Sequence, residues 1–158
     1  MLTPGTPAPD FSLPDQTGAL RSLAELRTGR GAPGGAGRGL VLYFYPADFT
    51  PVCTKEACMF RDVYSQLADA GLSVAGISPQ SVESHAKFAA KHALPYPLLA
   101  DTQGQAIRAY GASALFGLFT RRLTYVVDAS GVITASINAA LDLSKHRALI
   151  DRALAGAR

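Results

Sequence analysis

Two cysteines are the only thiols in this 158-residue chain, and both lie in one segment, Pro46-Ala47-Asp48-Phe49-Thr50-Pro51-Val52-Cys53-Thr54-Lys55-Glu56-Ala57-Cys58. A thiolate is a nucleophile, so the first question is what could keep Cys53 ionised. Leu40 to Tyr45 (LVLYFY) reads as a buried strand stopped by Pro46, and a helix is expected from about Pro51 to Ala70. Thr50 is a good N-cap and Pro51 a good first helical residue, which places Cys53 in the first turn. A thiolate there gains from the positive end of the helix dipole and from backbone N–H groups without helical partners. Position alone fits equally well with Cys53 as a small buried hydrophobe, the usual fate of a free cysteine.

Cys58 adds a second constraint. Five residues of intact helix give a rise of about 7.5 Å and a rotation of about 140°. The two Cα atoms would then be roughly 8–9 Å apart, beyond the about 7 Å a disulfide spans. The thiols can pair only if the first turns unwind. That suggests two states, one presenting Cys53 and one in which Cys58 captures it. The plain alternative is that Cys58 is a core-facing helix residue, and both readings could hold in turn.

The elements that would position this segment follow from the rest of the chain. Asp10 to Asp15 with the turn Gln16-Thr17-Gly18 suggests a short hairpin, and Ser22 to Arg27 one or two helical turns capped by Ser22. Thr28 to Gly39 is rich in glycine and reads as a flexible surface loop. A strand over Leu72 to Ile77 and a helix over Ser81 to Ala93 come next. A short strand is expected at Pro97 to Ala100 and a short helix at Gln103 to Gly111. Leu123 to Asp128 and Val132 to Ile137 form a hairpin around Ala129-Ser130-Gly131, and a helix over Leu143 to Ala157 closes the chain. The alternation predicts one α/β domain over residues 1–158, with a mixed central sheet flanked by helices. The helical stripe of Phe60, Val63, Leu67 and Ala70 would face that sheet.

Composition removes several functional classes. Hydrophobic residues make up 48% and charged residues 17%, enough for a core and too apolar for a disordered chain. The net charge of +3 comes from scattered residues, with Arg121-Arg122 the one adjacent basic pair, so nucleic-acid binding is not expected. No apolar run approaches a membrane span, and nothing at the N-terminus reads as a signal peptide, so a cytoplasmic protein is expected. Gly29 to Gly34 spells G-x-G-x-x-G, but a helix precedes it and a strand follows, the reverse of a dinucleotide site. His85, His92 and His146 lack metal-ligand spacing and are expected at the surface or at element edges.

The cysteine segment resembles the active-site signature of the peroxiredoxins, P-x-x-x-T-x-x-C, at Pro46, Thr50 and Cys53. The second cysteine five residues on resembles the peroxiredoxin Q group, also called bacterioferritin comigratory proteins. APDFSLPDQTG, GISPQSVESHAKFAAKHALPYPLLAD and RLTYVVDASGVI fit the same group in order, so the likeness covers most of the chain. The glycine-rich stretch looks longer than usual. The resemblance implies a thioredoxin-like fold and a thiol peroxidase that needs no cofactor or metal.

It also implies roles. Cys53 would attack a peroxide oxygen and become a sulfenic acid, and Cys58 would resolve it as an intramolecular disulfide. A thioredoxin-type thiol would reduce that disulfide. Thr50 would hold the thiolate and the bound peroxide, and Pro46 would shield the pocket. Arg122, three residues before Tyr125, matches the arginine that stabilises thiolate and leaving oxygen, and strand alternation would aim Arg121 the other way. Glu56 resembles the acid that orients this arginine. Phe116, Leu118 and Phe119 could wall the pocket and favour organic hydroperoxides alongside hydrogen peroxide, or serve as core or as a subunit contact. A monomer is expected, with a dimer through the loop before Arg122 as the alternative. The competing functions are a disulfide oxidoreductase, whose usual mark is C-x-x-C, and a non-catalytic thioredoxin-like redox-sensing or binding module.

Overall fold

Strand β3 (Gly39–Phe44) explains the architecture best, because every one of its six residues is buried. Side chains alternate along a strand, so total burial requires cover on both faces of the sheet. Leu40, Leu42 and Phe44 join one apolar cluster, and Val41 and Tyr43 join another. The first cluster is closed by the hairpin β1 (Ser12–Pro14) and β2 (Leu20–Ser22), by α1 (Leu23–Arg27), and by α4 (Gln105–Ala109). The second is closed by α2 (Pro51–Asp69), α3 (Val82–His92) and α5 (Leu143–Gly156). The result is a three-layer α/β/α arrangement in a computed structural model that describes residues 1–29 and 37–156.

The central sheet has five strands in the order β5 (Leu98–Ala100), β4 (Leu72–Ser78), β3, β8 (Leu123–Asp128), β9 (Ile133–Asn138). β3, β4 and β5 run parallel, while β8 is antiparallel to both β3 and β9, so the sheet is mixed. Tyr43 lies opposite Gly76 across the parallel pair. A Cβ at Gly76 would stand 2.8 Å from the Tyr43 ring, so only glycine leaves that ring its place. The β8–β9 turn closes on Asp128, whose Oδ1 accepts from the backbone N–H groups of Ser130 and Val132.

The elements read from the sequence are present, with ends shifted by one or two residues. Phe60, Val63 and Leu67 of the α2 stripe are buried, whereas Ala70 is the C-cap and only half-buried. The expected Thr28–Gly39 loop and the C-terminal helix to Ala157 fall partly on residues 30–36 and 157–158, which lie outside the described residues. One element went unforeseen, a small hairpin of β6 (Ser113–Ala114) and β7 (Phe119–Thr120). Its loop bends through Leu115 and Phe116 at φ of 50° and 56°, a left-handed backbone uncommon for such residues.

Candidate active site

The carboxyl end of β3 delivers the chain to the start of α2, the end of an open α/β sheet where ligand sites are built. Thr50 is the extended N-cap and Pro51 opens the helix, so Cys53 stands third in α2 and is buried. The Thr50 side chain does not cap the helix. Its hydroxyl donates instead to the Ala47 carbonyl at 2.9 Å. With its proton committed there, the hydroxyl does not donate to Cys53, which corrects the expectation that Thr50 holds the sulfur, and Oγ1 keeps acceptor capacity for a molecule entering beside Cys53.

Arg122 sits between β7 and β8 and is buried, while its neighbour Arg121 is exposed. Its guanidinium is fixed at three points. Nη2 donates to Cys53 Sγ at 3.2 Å, Nε donates to the Ala140 carbonyl at 2.8 Å, and Nη1 donates to Glu56 Oε2. Burial pulls the Arg122 pKa down, but Glu56 and Cys53 hold it up, and the net shift is upward. A cation that cannot lose its proton therefore faces the sulfur.

Glu56 is one helical turn beyond Cys53 and wholly buried, not the exposed helix glutamate its sequence could equally describe. Burial raises its carboxyl from 4.5 to about 7, against the lowering effect of Arg122. Its other oxygen, Oε1, has no hydrogen-bond partner among the described residues and lies 3.8 Å from His146 Nδ1. His146 Nε2 faces the Ala139 carbonyl at 2.8 Å and Nδ1 faces Thr124 Oγ1 at 2.7 Å. A carbonyl can only accept, so the ring proton is assigned to Nε2, and burial lowers the His146 pKa in keeping with a neutral ring.

The loop ahead of Cys53 has its own clamp. Asp48 is buried and accepts from the Tyr45 hydroxyl and the Ser84 hydroxyl, both at 2.7 Å. Its Oδ2 also lies 2.7 Å from His85 Nδ1, while His85 Nε2 lies 3.1 Å from the Leu99 carbonyl. His85 and His146 are thus fully buried, which corrects the expectation that they lie at the surface or at edges. Oxygen partners on both ring nitrogens offset the cost of taking each ring out of water.

The structure brings Cys53, Glu56 and Arg122 together, with Thr50 and Pro46 on the wall of the same cleft. That cleft encloses about 530 Å³ and is lined mainly by apolar groups, among them Pro46, Val52, Phe119, Ala140 and Leu141. A cavity of about 600 Å³ between β8–β9 and α5 contains neither cysteine. Of Phe116, Leu118 and Phe119, Phe119 alone lines the cleft, beside Ala114. Phe116 and Leu118 are exposed and neither wall the cleft nor join the core, because the left-handed bend of the hairpin loop turns them outward. Cys58 is half-buried, and both cysteines are free thiols on a continuous helix, the arrangement expected for the reduced protein.

Sequence reasoning missed the partners behind the site. His146 and Thr124 are distant in sequence and meet only because α5 packs on β8 and β9, and His92 approaches Cys58 only because α3 packs beside α2. No local pattern marks either pair.

The profile of the AhpC/TSA family matches residues 4–136. A chloroplastic peroxiredoxin Q from Sedum lineare is 42% identical over 146 residues, 92% of this chain and 74% of that protein. Rice relatives of the same description are spanned over 63% of their length. Among solved structures, peroxidoxin BcpB from Mycobacterium tuberculosis superposes with a TM-score of 0.85 at 37% identity, covering 100% of this chain and 97% of that one. The bacterioferritin comigratory protein of Xanthomonas campestris, described for its alkyl peroxide reduction activity, gives a TM-score of 0.80 at 28% identity, covering 94% and 92%.

Proposed function

The chain belongs to the AhpC/TSA family, alongside the peroxiredoxin Q proteins, with the thiol-dependent peroxidase activity of that group; from this premise we propose that Cys53 is the peroxidatic nucleophile and Cys58 the resolving thiol. The observation that carries the reading is the 3.2 Å contact between Arg122 Nη2 and Cys53 Sγ, made by a guanidinium fixed at three points. A cation held at the sulfur is already in place where negative charge moves during the reaction and need not reorganise.

The thiolate attacks one peroxide oxygen, the O–O bond breaks, and the leaving oxygen departs with both bonding electrons and takes a proton. Cys53 becomes a sulfenic acid and the product is water or an alcohol. Arg122 stabilises the charge as it moves from sulfur to the leaving oxygen. Thr50 Oγ1 accepts the peroxide O–H, and Pro46 and the apolar cleft keep bulk water from the sulfur. The cleft also accommodates the alkyl part of an organic hydroperoxide, with Phe119 and Leu141 at its wall. Cys58 then displaces the sulfenic oxygen as water to form the Cys53–Cys58 disulfide. This requires the start of α2 to unwind, since the helix holds the thiols apart.

A thioredoxin-type thiol returns the disulfide to two thiols by exchange. In this reading the chemistry of the sulfur is complete within one chain, because Cys53, Glu56, Arg122 and the Ala140 carbonyl all belong to it. The test is peroxide-dependent NADPH consumption with thioredoxin and its reductase. Sustained turnover supports the reading. Reduction of insulin without peroxide consumption would favour a disulfide oxidoreductase, and a single oxidation without turnover would favour a sensor.

A further inference from the structure

Capture of Cys53 by Cys58 has to remove the proton of the Cys58 thiol, and a ring nitrogen stands beside that sulfur. His92 Nδ1 lies 4.0 Å from Cys58 Sγ, at the long end of contact for a sulfur donor. The ring packs edge-on against Phe88 at 5.1 Å between centroids, and the His92 main-chain carbonyl accepts from Arg61 Nη1 at 2.9 Å. Arg61 is one turn beyond Cys58 on α2, so the same bond ties the end of α3 to the helix carrying the thiol.

The anchoring of α2 also shows which cysteine travels. From Ala57 onward the helix is fastened: the Tyr96 hydroxyl donates to the Ala57 carbonyl at 2.8 Å, and Phe60 stacks on Tyr43 at 4.4 Å. Upstream, Cys53 and Glu56 are tied to Arg122, and the Cys53 tie weakens once the sulfur is an uncharged sulfenic acid. The first turns can therefore unwind and bring Cys53 to a Cys58 that keeps its place beside His92.

We propose that His92 is a catalytic residue of the resolving step, accepting the Cys58 thiol proton on Nδ1 as Cys58 attacks the sulfenic sulfur. This rests on the reading of Cys58 as resolver. The S–S bond forms as the Cys53 S–O bond breaks. The oxygen leaves as hydroxide and takes up one proton, so a thiol and a sulfenic acid give a disulfide and water. In the reverse sense His92 returns a proton to Cys58 when an incoming thiol opens the disulfide.

The test is rapid-quench intact mass on the reduced protein after one equivalent of hydrogen peroxide, following oxygen addition and then loss of two hydrogens. In His92→Asn the oxygen adduct should form as in the wild type but convert to disulfide on the order of 10²-fold more slowly. In His92→Ala, added imidazole should restore part of the lost rate. Conversion at the wild-type rate in His92→Asn overturns the proposal. So does slow conversion in both variants without imidazole rescue, which assigns His92 a packing role. If the wild type itself stops at the oxygen adduct, the Cys58 assignment has failed instead, and the two failures are told apart by which protein shows them.

Discussion

Replacing Glu56 by glutamine isolates the least expected electrostatic feature of the site. Glutamine keeps the shape of the protonated acid and cannot ionise. In the folded protein burial holds the Glu56 carboxyl at about 7, against an ordinary 4.5. Between those values the folded chain keeps a proton that the unfolded chain has released, so wild-type stability falls as pH rises through this window. A displacement of that size corresponds to about 3 kcal/mol. His146 works in the opposite sense: its lowered pKa gives stability that is complete above 6.5 and declines as pH falls. Both proteins carry His146, so the part of its effect that does not pass through its 3.8 Å contact with Glu56 cancels in their difference, and what remains falls below pH 6.5. Urea denaturation of wild type and Glu56→Gln at pH 4.5, 6 and 8 should show the variant gaining about 3 kcal/mol relative to wild type from the lowest pH to the highest. A difference that is flat with pH would refute the raised carboxyl. A difference of opposite sign would mean that Arg122 outweighs burial at Glu56.

Three further outcomes follow from the geometry. Arg122→Met should lower kcat/KM for peroxide by about 10²-fold or more, measured under single-turnover oxidation of Cys53, because the variant removes the only cation bonded to the sulfur among the described residues. Phe119→Ala should reduce turnover of a bulky organic hydroperoxide roughly tenfold relative to hydrogen peroxide, whereas Phe116→Ala, at a side chain that stands in solvent, should leave that ratio unchanged. Asp48→Ala should cost about 2–5 kcal/mol in denaturant unfolding, since it takes this partner from buried His85 and from the buried Tyr45 hydroxyl.

The parts of the site legible in the sequence are those fixed locally. Thr50 and Pro51 announce a helix start, and that start puts Cys53 in the first turn whatever the rest of the fold does. Strands β3, β4, β8 and β9 were legible because runs rich in β-branched and aromatic residues bounded by turn residues have few other uses. Arg122 was separable from Arg121 by alternation, although the two lie in the irregular link before β8 rather than within a strand. Burial of charged side chains was not legible. Glu56 in α2 has the same local sequence whether it faces solvent or Arg122, and only the docking of the β7–β8 link on α2 decides between them. The β6–β7 hairpin was hidden for a different reason. Its bend passes through Leu115 and Phe116 in a conformation that side chains of their kind seldom adopt, so Gly117 was the only local hint of a turn.

Attack by Cys53 and resolution by Cys58 are separated by intact mass of wild type and Cys58→Ser after one equivalent of hydrogen peroxide. The wild type should lose two hydrogens and the variant should gain one oxygen. No mass change in either protein at stoichiometric peroxide would contradict these roles, because Cys53 would then not be an activated nucleophile.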